Sequence, residues 1–259
     1  GTLRLHDLGH DTERALFASV PRANDLCFDL RGSWVAVSSS SSAEVKVFRV
    51  ESGQVERILK HPTGVYAVAQ SPHGHQMVCG GNNGAVYFWE VGSEKPQVGL
   101  GSHAGPITGS QFNRLGDLLV STGWDGKTWF WDPAKREAHF ALPGGYCSHF
   151  SPDDTRLGFL TGSHGDLQAG IWEVAPGREC RRLERLQALV IPGNAAGFSS
   201  EGRLLAVAAR DGVTVWDLET NHRIGRLASG DSRSAIFLPD GRGFLTSRSE
   251  ERRVGKECR

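Results

Sequence analysis

Residues 101–133 read GSHAGPITGSQFNRLGDLLVSTGWDGKTWFWDP. Three runs within it, 107–112, 118–121 and 128–131, alternate apolar with polar or small residues. They are separated by Asn113-Arg114-Leu115-Gly116 and by Trp124-Asp125-Gly126. An extended chain sends successive side chains to opposite faces, so alternation bounded by turn residues predicts short antiparallel strands. Asp125-Gly126 is a hairpin signal, because a tight primed turn needs left-handed backbone, which Gly adopts freely and Asp tolerates. The stretch is a three-strand meander.

The pattern repeats outward from this stretch. The aromatic of the third strand, or its substitute, falls at His6, Phe48, Trp89, Trp131, Trp172 and Trp216, at spacings of 42, 41, 42, 41 and 44 residues. That period suits four-stranded blades, and no helical repeat competes with it. The turn between the first two strands also recurs, at 29–32, 71–74, 113–116, 151–154, 199–202 and 238–241. Five of the six end in Gly, and Asp154 is the exception. The serine run 38–42 falls where a hairpin is due and predicts a flexible loop, and the extra residues Ser163-His164-Gly165 predict a longer exposed one.

Four residues of the opening stretch stand at telling places: His103 before the first strand, Ser121 in the second, Asp125 in the turn and Trp131 ending the third. This arrangement resembles a repeat of the WD-repeat family, in which such residues form a hydrogen-bonded tetrad. Trp131-Asp132 matches the dipeptide that names the family, and Trp216-Asp217 repeats it. Elsewhere it becomes Trp89-Glu90, Trp172-Glu173 and Phe48-Arg49, and only His61 and His103 stand where a tetrad histidine belongs. The resemblance implies an all-β WD-repeat β-propeller of four-stranded antiparallel blades: five complete blades from about residue 23 to 227 and a half blade at each end, together enough for a sixth. One blade exposes two apolar faces, and blades packed face to face bury both.

The same resemblance implies a non-catalytic scaffold that binds a protein or a peptide. Residues 148–153 and 170–179 look more particularly like bacterial WD-repeat arrays, many of which follow a serine/threonine protein kinase domain. That implies an alternative, a sensor or docking module whose kinase domain lies outside these residues. Residues just before the hairpin turns, Asn82, Trp124 and Arg210, are expected on one rim, joined by His164 from the longer loop. An exposed Trp beside an Arg has the composition of an interface anchor.

Composition narrows the alternatives. The 259 residues carry 29 basic and 29 acidic side chains, scattered along the chain, which disfavours nucleic acid as the main ligand. No apolar run reaches the ~18 residues of a membrane span. The five cysteines show no CxxC spacing, so reduced thiols in a cytoplasmic setting are expected rather than disulfides or zinc. Gly99-Leu100-Gly101-Ser102-His103-Ala104 fits a dinucleotide pattern in form, but no helix follows it. Gly126-Lys127-Thr128 lacks the first Gly of a phosphate loop, and His73-Gly74-His75 has no neighbouring carboxylate or Cys to complete a metal site. No nucleophile elbow or kinase catalytic loop occurs. No cofactor, metal or catalytic residue is assigned.

The ends stand apart from the repeat. The chain opens in the middle of a blade, and residues 248–259, RSEERRVGKECR, abandon the alternation. That string resembles the translation of a common sequencing adapter, so the expected domain is 1–247. Without the twelve residues, 24 basic side chains face 26 acidic ones.

Overall fold

In a computed structural model the described residues are 4–7, 12–15, 20–90, 92–144, 146–163, 166–174, 180–190, 196–209, 212–220, 222–227, 232–237 and 244–248. They contain strands and turns and no α-helix. The chain divides into two compact units, Gly1–Phe150 and Ser151–Arg259.

The first unit starts with β1 (Arg4–Asp7) and β2 (Thr12–Ala15), which pair antiparallel. A first blade holds β3 (Ala23–Phe28), β4 (Trp34–Ser39), β5 (Glu44–Arg49) and β6 (Val55–Lys60). A second holds β7 (Val65–Gln70), β8 (Gln76–Gly81), β9 (Ala85–Glu90) and β10 (Gln97–Ser102). A third holds β11 (Ile107–Phe112), β12 (Leu119–Gly123), β13 (Lys127–Asp132) and β14 (Glu137–Pro143). Within each blade neighbouring strands follow chain order and run antiparallel. β15 (Tyr146–Phe150) lies beside β11 and β12.

In the second unit β16 (Arg156–Ser163), β17 (Asp166–Val174) and β18 (Cys180–Val190) pair in succession. A further blade follows, of β19 (Ala196–Phe198), β20 (Leu204–Ala209), β21 (Gly212–Asp217) and β22 (His222–Leu227). β23 (Ser232–Phe237) and β24 (Phe244–Arg248) form a two-stranded sheet. β24 thus takes in Arg248, the first residue of the terminal string, and the rest of that string lies outside the described residues.

Strand β9 shows why a blade cannot stand alone. Its sequence AVYFWE is apolar on both faces. Tyr87 and Trp89 enter the core shared with the first blade, alongside Val45 and Leu59, whereas Val86 and Phe88 enter the core shared with the third, alongside Ile107 and Leu119. Phe88 and Trp131 meet edge to face at 6.5 Å. Burying such a side chain contributes ~1.5–3 kcal/mol, and each sheet gains it on two sides only when both neighbours are present.

Local structure bears on three of the expectations above. Ser38 and Ser39 are not in a flexible loop: they end β4 fully buried, and the Ser39 hydroxyl donates to the Pro21 carbonyl at 2.6 Å. Of the three extra residues Ser163 ends β16 and pairs with Asp166 of β17, and His164 and Gly165, where the longer loop was expected, lie outside the described residues. Asp154 takes φ 60°, the left-handed conformation that Gly32, Gly74, Gly116 and Gly202 take at the equivalent turn position. Its N–H closes the turn onto the Ser151 carbonyl at 2.9 Å, as each of those glycines does in its own blade.

The segment Gly99-Leu100-Gly101 is a clip between blades. The Leu100 N–H donates to the Arg136 carbonyl at 2.8 Å, and Leu100 pairs with Glu137 in a parallel bridge that joins the outer strands β10 and β14. Gly101 has φ 126°, and a Cβ there would lie 2.9 Å from the Ala138 methyl. The two glycines therefore serve strand-to-strand approach.

Candidate functional site

The hairpin turns and the loops that precede each first strand lie side by side at one end of the blades. Asn82 N–H donates to the Gly64 carbonyl at 2.8 Å, and Trp124 N–H donates to the Pro106 carbonyl at 2.9 Å. Asn82 and Trp124 thus occupy the same seat in successive blades, and both are exposed. Trp124 is 58% exposed yet braced: its ring lies 5.8 Å from that of Tyr66, on β7 of the preceding blade. Arg210 and His164, the other two expected members of this rim, lie outside the described residues.

Beneath Trp124 the four residues picked out in the sequence meet. The Trp131 indole N–H donates to Ser121 Oγ at 2.8 Å, and Ser121 Oγ lies 2.8 Å from His103 Nε2. His103 Nδ1 lies 2.9 Å from Asp125 Oδ1. A carboxylate only accepts, so His103 carries its proton on Nδ1 and Nε2 accepts from the serine hydroxyl. Asp125 also accepts from Ala104 N–H at 3.1 Å and from Lys127 N–H at 3.1 Å, tying the loop before β11 to the hairpin after β12. Burial pushes the Asp125 carboxyl up, but the hydrogen bond from His103 and those backbone N–H groups hold it below its ordinary value. Burial lowers His103 despite the facing carboxylate, which keeps the ring neutral. The His103 ring packs so closely that a Cβ on Gly123 would stand 2.6 Å from Nδ1.

The other blades carry partial versions. In the second blade Cys79 stands where Ser121 does, and the Trp89 indole N–H donates directly to His61 Nε2 at 3.1 Å. Asn83 replaces the aspartate and turns to Tyr87 Oη at 3.0 Å, leaving His61 Nδ1 buried with no hydrogen-bond partner among the described residues. In the first blade the Phe48 side chain has no N–H, and the Ser38 hydroxyl bonds instead to the backbone of Asp25 and Tyr66. In the fifth repeat Ala206 replaces the serine, and Trp216 Nε1 has no hydrogen-bond partner among the described residues.

The residue after the third-strand Trp caps the next turn. Asp132 accepts from Ala134 and Lys135 N–H at 3.0 and 3.1 Å. Asp217 accepts from Glu219 N–H at 2.9 Å, and the Arg203 guanidinium beside it holds the carboxyl at about 2. The remaining sequence motifs have structural partners too. His73 Nε2 donates to the Leu115 carbonyl at 2.8 Å and its ring stacks on that of His75, while Gly126-Lys127-Thr128 opens β13. Among the described residues no three His, Cys, Asp or Glu side chains gather as metal ligands, and no helix is long and apolar enough to cross a membrane.

Tyr66 was not among the expected rim residues. Its place against Trp124 comes from blade packing across 58 positions of sequence. The available signal was its alignment with Thr108 in the next repeat, an aromatic where its counterpart is small and polar.

Residues 53–90 and 94–132 match the model of the WD40 family, WD domain, G-beta repeat. Each match begins on or just before an outer strand and takes in the next three, β6 to β9 and β10 to β13, so the repeat straddles two blades. Cilia- and flagella-associated protein 52 of Homo sapiens is 24% identical over 226 residues, which cover 83% of this chain and 35% of that protein. The Periodic tryptophan protein 2 homolog of Dictyostelium discoideum is 24% identical over 234 residues, covering 83% of this chain and 24% of that one. The chain therefore spans about a third or less of the length of these curated relatives. Among solved structures, Kuenenia stuttgartiensis Hydrazine Synthase superposes with a TM-score of 0.76 at 14% identity, covering 95% of this chain and 86% of that one. WD repeats are thus matched at residues 53–90 and 94–132, and the fold is a β-propeller of four-stranded antiparallel blades.

Proposed function

We propose that this segment is a non-catalytic recognition scaffold that takes a protein or peptide partner on the hairpin rim centred on Trp124. The observation that carries the reading is an indole that is 58% exposed and yet held by the Tyr66 ring. A braced aromatic loses little side-chain entropy on binding and presents a large contact area, the properties of an interface hot spot. The WD repeats support a scaffold role. Arg210 and His164 are further candidates on the repeat register of the sequence alone, and the free thiols of Cys27 and Cys79 suit a cytoplasmic setting.

Affinity capture with the chain as bait, repeated with Trp124→Ala and with Arg210→Glu, tests this. Trp124 packs on one ring at the surface, so its truncation is expected to leave the unfolding free energy within about 1 kcal/mol of wild type. Loss of a hot spot is worth ≥2 kcal/mol, so recovery of specifically bound protein should fall more than about tenfold. Undiminished recovery contradicts the proposal. A narrower form of it, a docking module of a bacterial serine/threonine kinase, rests on the likeness of residues 148–153 and 170–179 to such arrays. Coding sequence upstream of Gly1 tests that form, through the presence or absence of a Gly-rich loop and a catalytic-loop aspartate.

A further inference from the structure

The strand that carries Tyr66 is tied to the first blade by two side chains. β7 ends its sheet, with β8 on one side, and leaves its other edge open. Residues two apart on a strand point their backbone groups to the same side, so the Tyr66 carbonyl and the Val68 N–H lie on one edge. Asp25 Oδ2, on β3, accepts from Val68 N–H at 3.0 Å. Ser38 Oγ, at the end of β4, lies 3.3 Å from the Tyr66 carbonyl, to which it donates, and accepts from Asp25 N–H at 3.1 Å. The two side chains thus bond to each other's strand and to β7 together.

This pair departs from the repeat. Val35 pairs with Phe48 as Met77 pairs with Trp89, so Gly80 is the second blade's counterpart of Ser38. Leu26 pairs with Val37 as Val68 pairs with Cys79, so Ala67 is the counterpart of Asp25. Neither Ala67 nor Gly80 has a side-chain atom that could bond to the next inner strand. The carboxylate is also kept at a cost: burial pushes the Asp25 carboxyl up, against the hydrogen bonds from Val68 and Leu26 N–H. A buried carboxylate is tolerated where backbone donors meet it, and here one donor belongs to the strand whose Tyr66 ring lies 5.8 Å from that of Trp124.

We propose that Asp25 and Ser38 are positioning residues for the Trp124 rim: they fix the backbone of β7 at Tyr66 and Val68, and so hold the ring on which Trp124 is braced. The inference rests on the reading of that rim as the recognition face, and it makes the first blade part of the site without a contact to the partner. Fluorine NMR of the full chain labelled with fluorotryptophan, with no partner present, tests it. Of the 7 tryptophan signals, the one lost in Trp124→Phe belongs to Trp124. Tyr66→Leu gives the position of that signal once the brace is gone. Asp25→Ala and Ser38→Ala should each move it at least halfway to that position, whereas Asp25→Asn, which keeps an acceptor oxygen for Val68 N–H, should leave it near its wild-type place.

A Trp124 signal unmoved in the alanine variants overturns the proposal. So does a shift in Asp25→Asn as large as in Asp25→Ala, which would report general loosening and not the loss of a hydrogen bond. If Asp25→Ala fails to fold, Ser38→Ala decides, since it removes a single oxygen atom. Affinity capture separates this inference from the one it rests on. Recovery lowered by Trp124→Ala but undiminished by Asp25→Ala overturns the positioning role. Recovery undiminished by Trp124→Ala itself counts against the rim alone, and the fluorine signal still decides the bracing.

Discussion

At the level of single residues the two aspartates around Trp131 do different work. Asp125 satisfies His103 Nδ1–H and two backbone N–H groups, in a network whose other members are buried. Removing it orphans those donors at ~1–3 kcal/mol for the buried one, with the lost turn bonds in addition. Asp132 caps two exposed-turn N–H groups, a role worth ~1 kcal/mol by analogy with helix caps. Asp125→Ala is therefore expected to destabilise by about 2–4 kcal/mol and Asp132→Ala by about 1 kcal/mol, measured as urea denaturation free energies. Equal losses would count against the tetrad as the stronger element.

His61 adds a pH dependence. Burial lowers its pKa to about 4, and among the described residues no carboxylate bonds to Nδ1. The unfolded chain takes up a proton near the ordinary value of ~6.5, which the folded chain refuses until about pH 4. Its contribution is present in full above ~6.5 and is lost as pH falls from there to about 4. In Asn83→Asp a carboxylate takes the seat that Asp125 holds opposite His103. The fall in denaturation midpoint between pH 6.5 and 4 should then shrink relative to wild type, since the charged imidazole gains a partner.

At the level of elements, strands were readable where local chemistry and packing agree. Residues 107–112 were read as a strand from alternation and turn residues alone, and β11 has those bounds. The hairpin at Asp125-Gly126 was expected as a primed turn with both residues left-handed; only Gly126 is, at φ 72°, and its N–H closes the turn onto the Gly123 carbonyl at 3.1 Å. What could not be read depends on a neighbouring blade. Ser38 and Ser39 look like loop residues by composition, but their hydroxyls find backbone carbonyls in buried surroundings. Gly99 and Gly101 resemble part of a phosphate-binding motif, yet their backbone serves the pairing of β10 with β14. Gly101→Ala combines a left-handed backbone with a 2.9 Å approach to Ala138, so it should destabilise by ~2 kcal/mol or more. Faster amide hydrogen exchange at Leu100 in that variant would report the opened clip directly.

At the level of the whole molecule, a period near 42 residues gives each blade the same set of seats, and function enters where a seat is filled differently. The tetrad seats hold His103, Ser121, Asp125 and Trp131 in one blade and decay in the others, so a single blade is the best-braced part of the described rim. Trp124 stands on that blade, where its neighbour of equal rank has Asn82. The rim position of Trp124 was readable from its place before Asp125, whereas its bracing by Tyr66 was not, because that contact exists only once two blades pack.

Hydrogen exchange of the full chain, with and without protein captured on it, measures the recognition face directly. The account predicts slowed exchange in the rim segments 63–66, 82–85, 104–106 and 124–127. Slowing confined to the outer strands β6, β10, β14 and β22, with those four segments unchanged, would contradict it.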